Sequence, residues 1–91
     1  MTTIQEVHKV KSEDVAKALG DLRGRLADYE GEVTLDFSGV RRVDPSGLRA
    51  IEDLAAAAEA KSVKVSLQGV NVGVYKVLKL ARLTVRFSFV N

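Results

Sequence analysis

Three short segments of this chain alternate strictly between apolar and polar residues, and a segment with helical periodicity precedes each of them. The alternating segments are residues 33–38, 63–68 and 85–89. Alternation of period two is typical of a strand that buries one face and leaves the other in water. Strands that are covered by helices on both faces tend instead to be continuously apolar. The pattern predicts a two-layer α/β domain, with the helices mainly on one face of the sheet and much of the other face solvated.

The segments between these strands carry apolar residues at helical spacing. They predict helices over residues 12–28, 45–61 and 72–82, and residues 3–10 predict a further strand at the start of the chain. Ser12 is the expected N-cap of the first helix and Asn71 that of the third. The order β-α-β-α-β-α-β implies right-handed crossovers and a four-stranded sheet that is largely parallel or mixed.

The same spacing predicts which side chains meet in the core. The expected core residues are Leu19, Leu22, Val33, Leu35, Phe37, Leu48, Ile51, Leu54, Val63, Val65, Leu67, Val77 and Leu78. Ala16, Gly20 and Gly24 form a ridge of small residues beside the apolar stripe of the first helix. Such a ridge either packs closely on the sheet or forms a groove for a partner, and we favour close packing. On the second helix, Arg49 and Asp53 are spaced to form an ion pair.

Length and composition limit the class of protein. The chain has 91 residues, which we interpret as a single domain covering residues 1–91, and it has no cysteine, which excludes disulfides and thiolate metal sites. The net charge of +2 comes from scattered Lys and Arg residues without interleaved aromatic residues, so nucleic acid is not an expected partner. Because we find no targeting segment or membrane span, we expect a cytoplasmic protein.

The residues that enzymes and metal sites require are almost absent. His8 is the only histidine, and it lies in a predicted strand without a partner motif. The glycine-rich fingerprints that bind phosphate and dinucleotides are absent, as is the nucleophile-elbow motif of serine hydrolases. We therefore expect no catalytic residues, no metal and no cofactor, and we predict that the protein is not an enzyme.

The most informative stretch is Val43–Leu48, at the start of the second helix. Asp44 is placed to accept from the amides of Ser46 or Gly47, and Pro45 fits the first helical position, where a missing N–H does no harm. This arrangement can be no more than a well-formed helix start. It can also be a docking edge, because an exposed helix N-terminus that carries Ser46 would respond to a phosphate.

This stretch and the strand before it resemble the signature of STAS domains, a family that includes the bacterial anti-sigma factor antagonists. Residues 33–40 are similar to the family's strand, which ends in "D-L-S-G-V", and Val43–Leu48 is similar to its "D-S-S-G-L" helix start. The resemblance implies a regulatory domain that binds proteins. In the members that are phosphorylated, the acceptor directly follows the Asp. That position is Pro45 here, so the usual phosphorylation switch is not expected, and Ser46 is the remaining candidate phosphorylation site.

A second resemblance covers the third helix. Leu67–Asn71, Val74–Tyr75 and Leu78–Leu80 are similar to the small STAS subunit of the bacterial Mla phospholipid-transport ABC system. That resemblance implies an accessory subunit that binds the ATPase of the transporter. An anti-sigma kinase-like protein and an ABC-transporter ATPase are thus the two candidate partners.

We expect the protein partner to bind at the start of the second helix. The expected partner-binding residues are Arg41, Arg42, Asp44, Pro45, Ser46, Arg49 and Asp53. We expect them to form one exposed patch, since Ser46, Arg49 and Asp53 are three and four residues apart on one helical face. The sequence leaves the oligomeric state and the identity of the partner open.

Overall fold

A computed structural model describes residues 7–28 and 31–90, except for the side chain of Ala27. Four strands and three helices alternate along the chain. They are β1 (Val7–Lys11), α1 (Val15–Gly24), β2 (Glu32–Gly39), α2 (Pro45–Ala60), β3 (Lys64–Gln68), α3 (Val72–Leu80) and β4 (Ser88–Val90). Short 3₁₀ turns occupy Ser12–Asp14 and Leu26–Asp28. The predicted order of elements is confirmed.

The four strands form one sheet in the order β1-β2-β3-β4. Every neighbouring pair is parallel. Because crossovers between parallel strands are right-handed, consecutive strands that are also neighbours place all their connecting helices on the same face. The structure is therefore a two-layer α/β domain. Its sheet, which was predicted to be largely parallel or mixed, is parallel at every pair of neighbouring strands.

The core lies between this helical layer and the sheet. Leu35 and Leu67 are in register on the central strands, and Phe89 follows in the same row on β4. Leu19, Ile51, Leu54 and Leu78 from the three helices are fully buried in the same cluster as these strand residues. Two predicted core residues, Leu48 and Val77, are only half-buried. Nine residues of the core cluster were not in the predicted list, namely Val10, Val15, Leu26, Val40, Ala55, Ala58, Val74, Leu83 and Phe87.

The face of the sheet away from the helices is less solvated than the alternation predicted. Thr34 and Ser66 lie opposite each other on β2 and β3, and they are only 5% and 4% exposed. Each is small and has a neighbouring strand on both sides, since β2 and β3 are the central strands. Asp36 and Gln68, one step further along the same face, are half-buried. The expectation of a largely wet face is thus wrong at its centre.

The structure corrects the predicted start and end of the first helix. Ser12 does not cap α1, because it begins the 3₁₀ turn that precedes the helix. Asp14 occupies the N-cap position of α1, and its side chain makes no capping bond. At the other end, α1 stops at Gly24 and does not continue to Asp28 as predicted. Glycine is a poor helix former because its backbone is more flexible than that of other residues.

Two predicted strands also differ from the observed ones. β4 contains only Ser88–Val90, while Val85 lies in a turn and is 87% exposed. Its alternation with Phe87 was therefore misleading, although Phe87 itself is buried. The predicted first strand began at Thr3, and its residues before Val7 lie outside the described residues.

Candidate functional site

Asp44 organises the start of α2 through its side chain. Its Oδ1 atom accepts from the backbone N–H of Gly47 at 2.7 Å, which confirms the predicted cap, and from the hydroxyl of Ser46 at 2.9 Å. The Gly47 bond, followed by that from Ser46, lowers the pKa of Asp44 below its ordinary value. Pro45 takes the first helical position, as predicted. Asp44, Pro45 and Ser46 are all exposed, so this helix start is accessible.

Gly47 lets α2 begin close to α1. A Cβ atom placed on Gly47 would lie 3.1 Å from Cγ1 of Val43 and 3.3 Å from Cγ1 of Val15, the first residue of α1. These distances are tighter than ordinary van der Waals contact. A larger residue would therefore require the side chains of Val43 and Val15 to shift by a few tenths of an ångström.

Two distant side chains fix the loop that leads into α2. The hydroxyl of Ser12 accepts from the backbone N–H of Arg41 at 2.6 Å and donates to the carbonyl of Gly39 at 3.3 Å. The side-chain amide of Asn71 donates to the carbonyls of Val40 and Arg41, each at 3.1 Å. Ser12 and Asn71, which were both predicted as helix caps, thus hold this loop. Of the two, Asn71 is a helix cap as well, because its side chain accepts from the N–H of Val74.

A groove runs between α1 and α2 beside this helix start. Small and partly apolar residues line it, together with two arginines and an acid, and they are Ala16, Leu19, Gly20, Arg23, Ser46, Arg49, Ala50 and Asp53. Nothing lies within 4 Å of a Cβ atom placed on Gly20 or on Gly24. The predicted close packing of the small-residue ridge is therefore wrong. Part of the ridge, Ala16 and Gly20, forms one wall of an open groove.

The charges of the groove are arranged differently from the predicted pair. Asp53 lies 3.7 Å from the guanidinium of Arg23 on α1, and both side chains are half exposed. Among the described residues, Arg49 makes no ion pair. The predicted Arg49–Asp53 pair is thus replaced by one that bridges the two helices. Arg49 is exposed in the groove.

Four of the predicted binding residues come together at this place. Ser46, Arg49 and Asp53 line the groove, and a shallow depression next to it is lined by Pro45, Arg49, Glu52 and Asp53. Asp44 adjoins them through its bond to Ser46. The side chains of Arg41 and Arg42 are exposed but line neither concavity.

Sequence reasoning missed Arg23 and Ala50 as parts of the site. Arg23 lies three residues after Gly20 and seven after Ala16, so helical spacing alone places it on the same face of α1. That α1 and α2 lie side by side there was not visible in the sequence. Within the described ranges, no group of His, Asp or Glu residues is arranged to hold a metal ion. The groove is suited to docking, because it combines an open apolar floor with exposed charge.

A comparison with protein families identifies the fold. A family model described as "Mlab, STAS domain" matches residues 9–90. The chain belongs to the STAS domain family. The resemblance of Val33–Val40 and Val43–Leu48 to the family signature is thereby confirmed, and no curated protein sequence matches this chain.

Several solved structures of other proteins superpose on this one. A sulfate transporter family protein from Wolinella succinogenes is 17% identical, with a TM-score of 0.77 over 96% of this chain and 80% of that one. A putative anti-sigma factor antagonist from Thermotoga maritima is also 17% identical, with a TM-score of 0.72 over 98% of this chain and 75% of that one. The SulP transporter STAS domain from Vibrio cholerae is 13% identical, with a TM-score of 0.76 over 99% and 76%. At these identities the similarity establishes the fold.

Proposed function

We propose that this STAS domain is a non-catalytic regulatory module of the cytoplasm that binds a protein partner in the manner of an anti-sigma factor antagonist. The partner would be an anti-sigma kinase-like protein. Its binding site would be the start of α2 with the adjoining groove, formed by Asp44, Pro45, Ser46, Arg49 and Asp53. Arg41 and Arg42 would contact the partner from the rim.

The observation that carries this proposal is the open groove beside an exposed helix start. Ala16 and Gly20 leave space between α1 and α2 that a side chain of the partner can enter. Arg49 is exposed at its edge, while the Arg23–Asp53 pair bridges its two walls. An apolar floor with charged edges resembles the arrangement of many protein interfaces, in which a buried anchor lies inside a polar rim.

Regulation by phosphate at the usual family position is not part of the proposal. Pro45 follows the capping Asp44 and has no hydroxyl, and the hydroxyl of Ser46 already donates to Asp44. A phosphate on Ser46 would remove this bond and bring like charges together. Incubation of the protein with the partner kinase and ATP should add no phosphate in an intact-mass measurement, whereas Pro45→Ser should restore an acceptor. A phosphate mapped to Ser46 in the parent protein would show that the switch has moved by one residue.

The proposal is tested by filling the groove. The Gly20→Leu variant should leave the fold intact or more stable, because a Cβ atom at this position meets no neighbour and leucine is a better helix former than glycine. It should nevertheless weaken binding to an anti-sigma kinase from the same genome by about tenfold or more, since it removes the space for an anchor. Isothermal titration calorimetry gives the affinity, and thermal unfolding gives the stability.

Charge reversal at the edge of the groove is a second test of the proposed binding site. Arg49→Glu should weaken binding with little change in melting temperature, because exposed charges contribute little to stability. Lys17→Glu is the matched control, since Lys17 is an exposed helical lysine on α1 that does not line the groove. If Gly20→Leu, Arg49→Glu and Ser46→Glu all bind with parental affinity, the interface lies elsewhere on the domain.

An accessory subunit of an ABC transporter is the second candidate. The description of the matching family model, "Mlab, STAS domain", favours it, as does the resemblance of the third helix to the Mla subunit. In this case the ligand of the groove would be the ATPase of a phospholipid-transport system. Binding of the same variants to that ATPase, and not to an anti-sigma kinase, would decide between the two candidates.

A further inference from the structure

Charge is divided unevenly along this chain. Residues 60–91 contain six Lys and Arg residues and no Asp or Glu, while residues 1–59 contain all twelve acids and eight bases. The net charge of +2 therefore hides a strongly basic final third. This third supplies β3, α3 and β4.

Only part of this positive charge is neutralised within the domain. Arg86 donates two hydrogen bonds to Glu59, at 2.9 and 2.8 Å, and Lys64 lies 3.7 Å from Glu32. The other four cations form no ion pair with a described residue, and all four are exposed: Lys61, Lys76, Lys79 and Arg82. Lys76 and Lys79 lie on α3 and Arg82 follows its end.

The outer face of α3 combines these cations with exposed apolar side chains. Val72 is 73% exposed, Leu80 is 86% exposed and Tyr75 is 41% exposed. Their positions, with those of Lys76 and Lys79, recur at intervals of three and four residues and thus share one helical face. Val74 and Leu78 face the core instead. We call the five exposed residues, Val72, Tyr75, Lys76, Lys79 and Leu80, the α3 face.

The composition of the α3 face favours one kind of partner. A protein partner would need an acidic patch that also places apolar side chains opposite Val72 and Leu80, because interface potentials and shapes must match at fixed positions. A nucleic acid would leave Val72 and Leu80 without an apolar partner, since its outer surface is phosphate. An anionic bilayer matches both features, because it is uniformly negative and accepts a protruding aliphatic side chain at any lateral position.

We propose that the α3 face binds the surface of an anionic lipid membrane, with α3 lying in the plane of the interface. Val72 and Leu80 would enter the boundary between headgroups and acyl chains, and Tyr75 would lie at headgroup level. Lys76 and Lys79 would contact the anionic headgroups. None of the helices in the described ranges is long and apolar enough to cross a membrane. The inference is independent of the proposed function, whose site lies at the start of α2.

The test is sedimentation of the full chain with vesicles of phosphatidylcholine alone and with vesicles that contain about one third phosphatidylglycerol. We expect binding only to the anionic vesicles, and weaker binding at higher salt. The double variant Lys76→Gln/Lys79→Gln should bind roughly twentyfold more weakly, since each cation near an anionic surface contributes about a fivefold gain in affinity. Leu80→Ser should also weaken binding, because it removes an inserted side chain.

The matched control is Lys9→Gln/Lys17→Gln, which changes the net charge equally but lies on β1 and α1. It should bind the anionic vesicles nearly as tightly as the parent, and all variants should keep the parental melting temperature. Equal losses in the two double variants would overturn the proposal, because they would indicate an effect of overall charge. Parental binding by Leu80→Ser, equal binding to neutral vesicles, or no binding at all would also overturn it.

Discussion

The side chain of Asn71, which begins α3, also donates to the backbone carbonyl of Arg41, thirty residues earlier in the loop that leads into α2. Its Oδ1 atom accepts from Val74 at 2.8 Å, while its Nδ2 atom donates to the loop. One amide group therefore links the start of one helix to the approach to another. The amide carries its acceptor and its donor on two separate atoms, so one Asn side chain can cap the helix and bind the loop at the same time.

Two substitutions of Asn71 should separate these functions. Asn71→Asp keeps the capping acceptor but removes the donor, so it should destabilise the domain less than Asn71→Ala, which loses both. We expect Asn71→Ala to cost about 2 kcal/mol. Urea unfolding measures the free energies, and hydrogen exchange at Arg41 and Arg42 should be faster in both variants. Equal stability of the two variants would mean that the cap at Val74 contributes nothing.

Truncation of central core residues should be costly, in contrast to truncation of the most exposed leucine. Leu35→Ala and Ile51→Ala each remove a side chain that is about 1% exposed, and each should cost on the order of 2–5 kcal/mol. Leu80→Ala is the control and should change the free energy of unfolding by less than about 0.5 kcal/mol. Parental melting of Leu35→Ala or Ile51→Ala would contradict the assignment of the faces of β2 and α2.

Substitution by alanine should change the stability of the domain in opposite directions at two glycines. Gly20→Ala should stabilise the domain by about 0.5–1 kcal/mol, because Gly20 is a helical residue with empty space around its Cβ position. Gly69 has φ +72°, and a Cβ atom there would lie 2.9 Å from the Cβ of Ser38. Gly69→Ala should therefore destabilise the domain by on the order of 2 kcal/mol. Thermal and urea unfolding of both variants would test the signs.

Stability should decline in acid through three carboxylates whose pKa values are lowered by hydrogen bonds. The donors are the backbone and hydroxyl of Ser38 for Asp36, Gly47 and then Ser46 for Asp44, and Arg86 for Glu59. A carboxyl whose pKa is lower in the folded state stabilises the fold above its unfolded pKa, and this stabilisation is lost as the pH falls through the folded pKa. The ordinary values are 3.8 for Asp and 4.5 for Glu.

We therefore expect stability to begin to fall near these ordinary values and to continue falling below them. Asp44→Asn should have a shallower decline, since asparagine still accepts a capping bond but does not titrate in this range. Urea unfolding at a series of pH values measures both curves. Identical slopes for the parent and for Asp44→Asn would show that the Gly47 and Ser46 bonds do not affect the pKa of Asp44.

Local patterns made most of the fold predictable. The caps at Asp44 and Asn71 depend on side-chain bonds within three residues, and both were predicted correctly. The prediction that Ser12 caps the first helix failed because its hydroxyl bonds to the loop at Gly39 and Arg41 instead. A local pattern does not predict a contact between residues so far apart in the chain. The prediction of Val85 as a strand residue failed because five residues of alternation do not exclude a turn at the start of the segment.

The candidate site was less predictable than the fold. Spacing along α2 correctly placed Ser46, Arg49 and Asp53 on one side, because helical periodicity is a local property. The groove depends on how α1 lies against α2, which the sequence does not reveal. Gly20 was therefore predicted to be closely packed although it lines an open groove, and Arg23 was not predicted to be part of the site. The uneven distribution of charge was present in the sequence, but the exposure of Val72 and Leu80 beside these cations became visible only in the structure.

The order of the strands in the sheet equals their order in the chain, and this affects how the domain can assemble during synthesis. Each strand after β1 pairs with the strand made just before it. No strand has to insert between two that are already paired, so each new helix and strand adds to an edge that is still open. The sheet can therefore grow in one direction as the ribosome releases the chain, and a stalled chain that ends after β3 would present that strand as an unpaired edge.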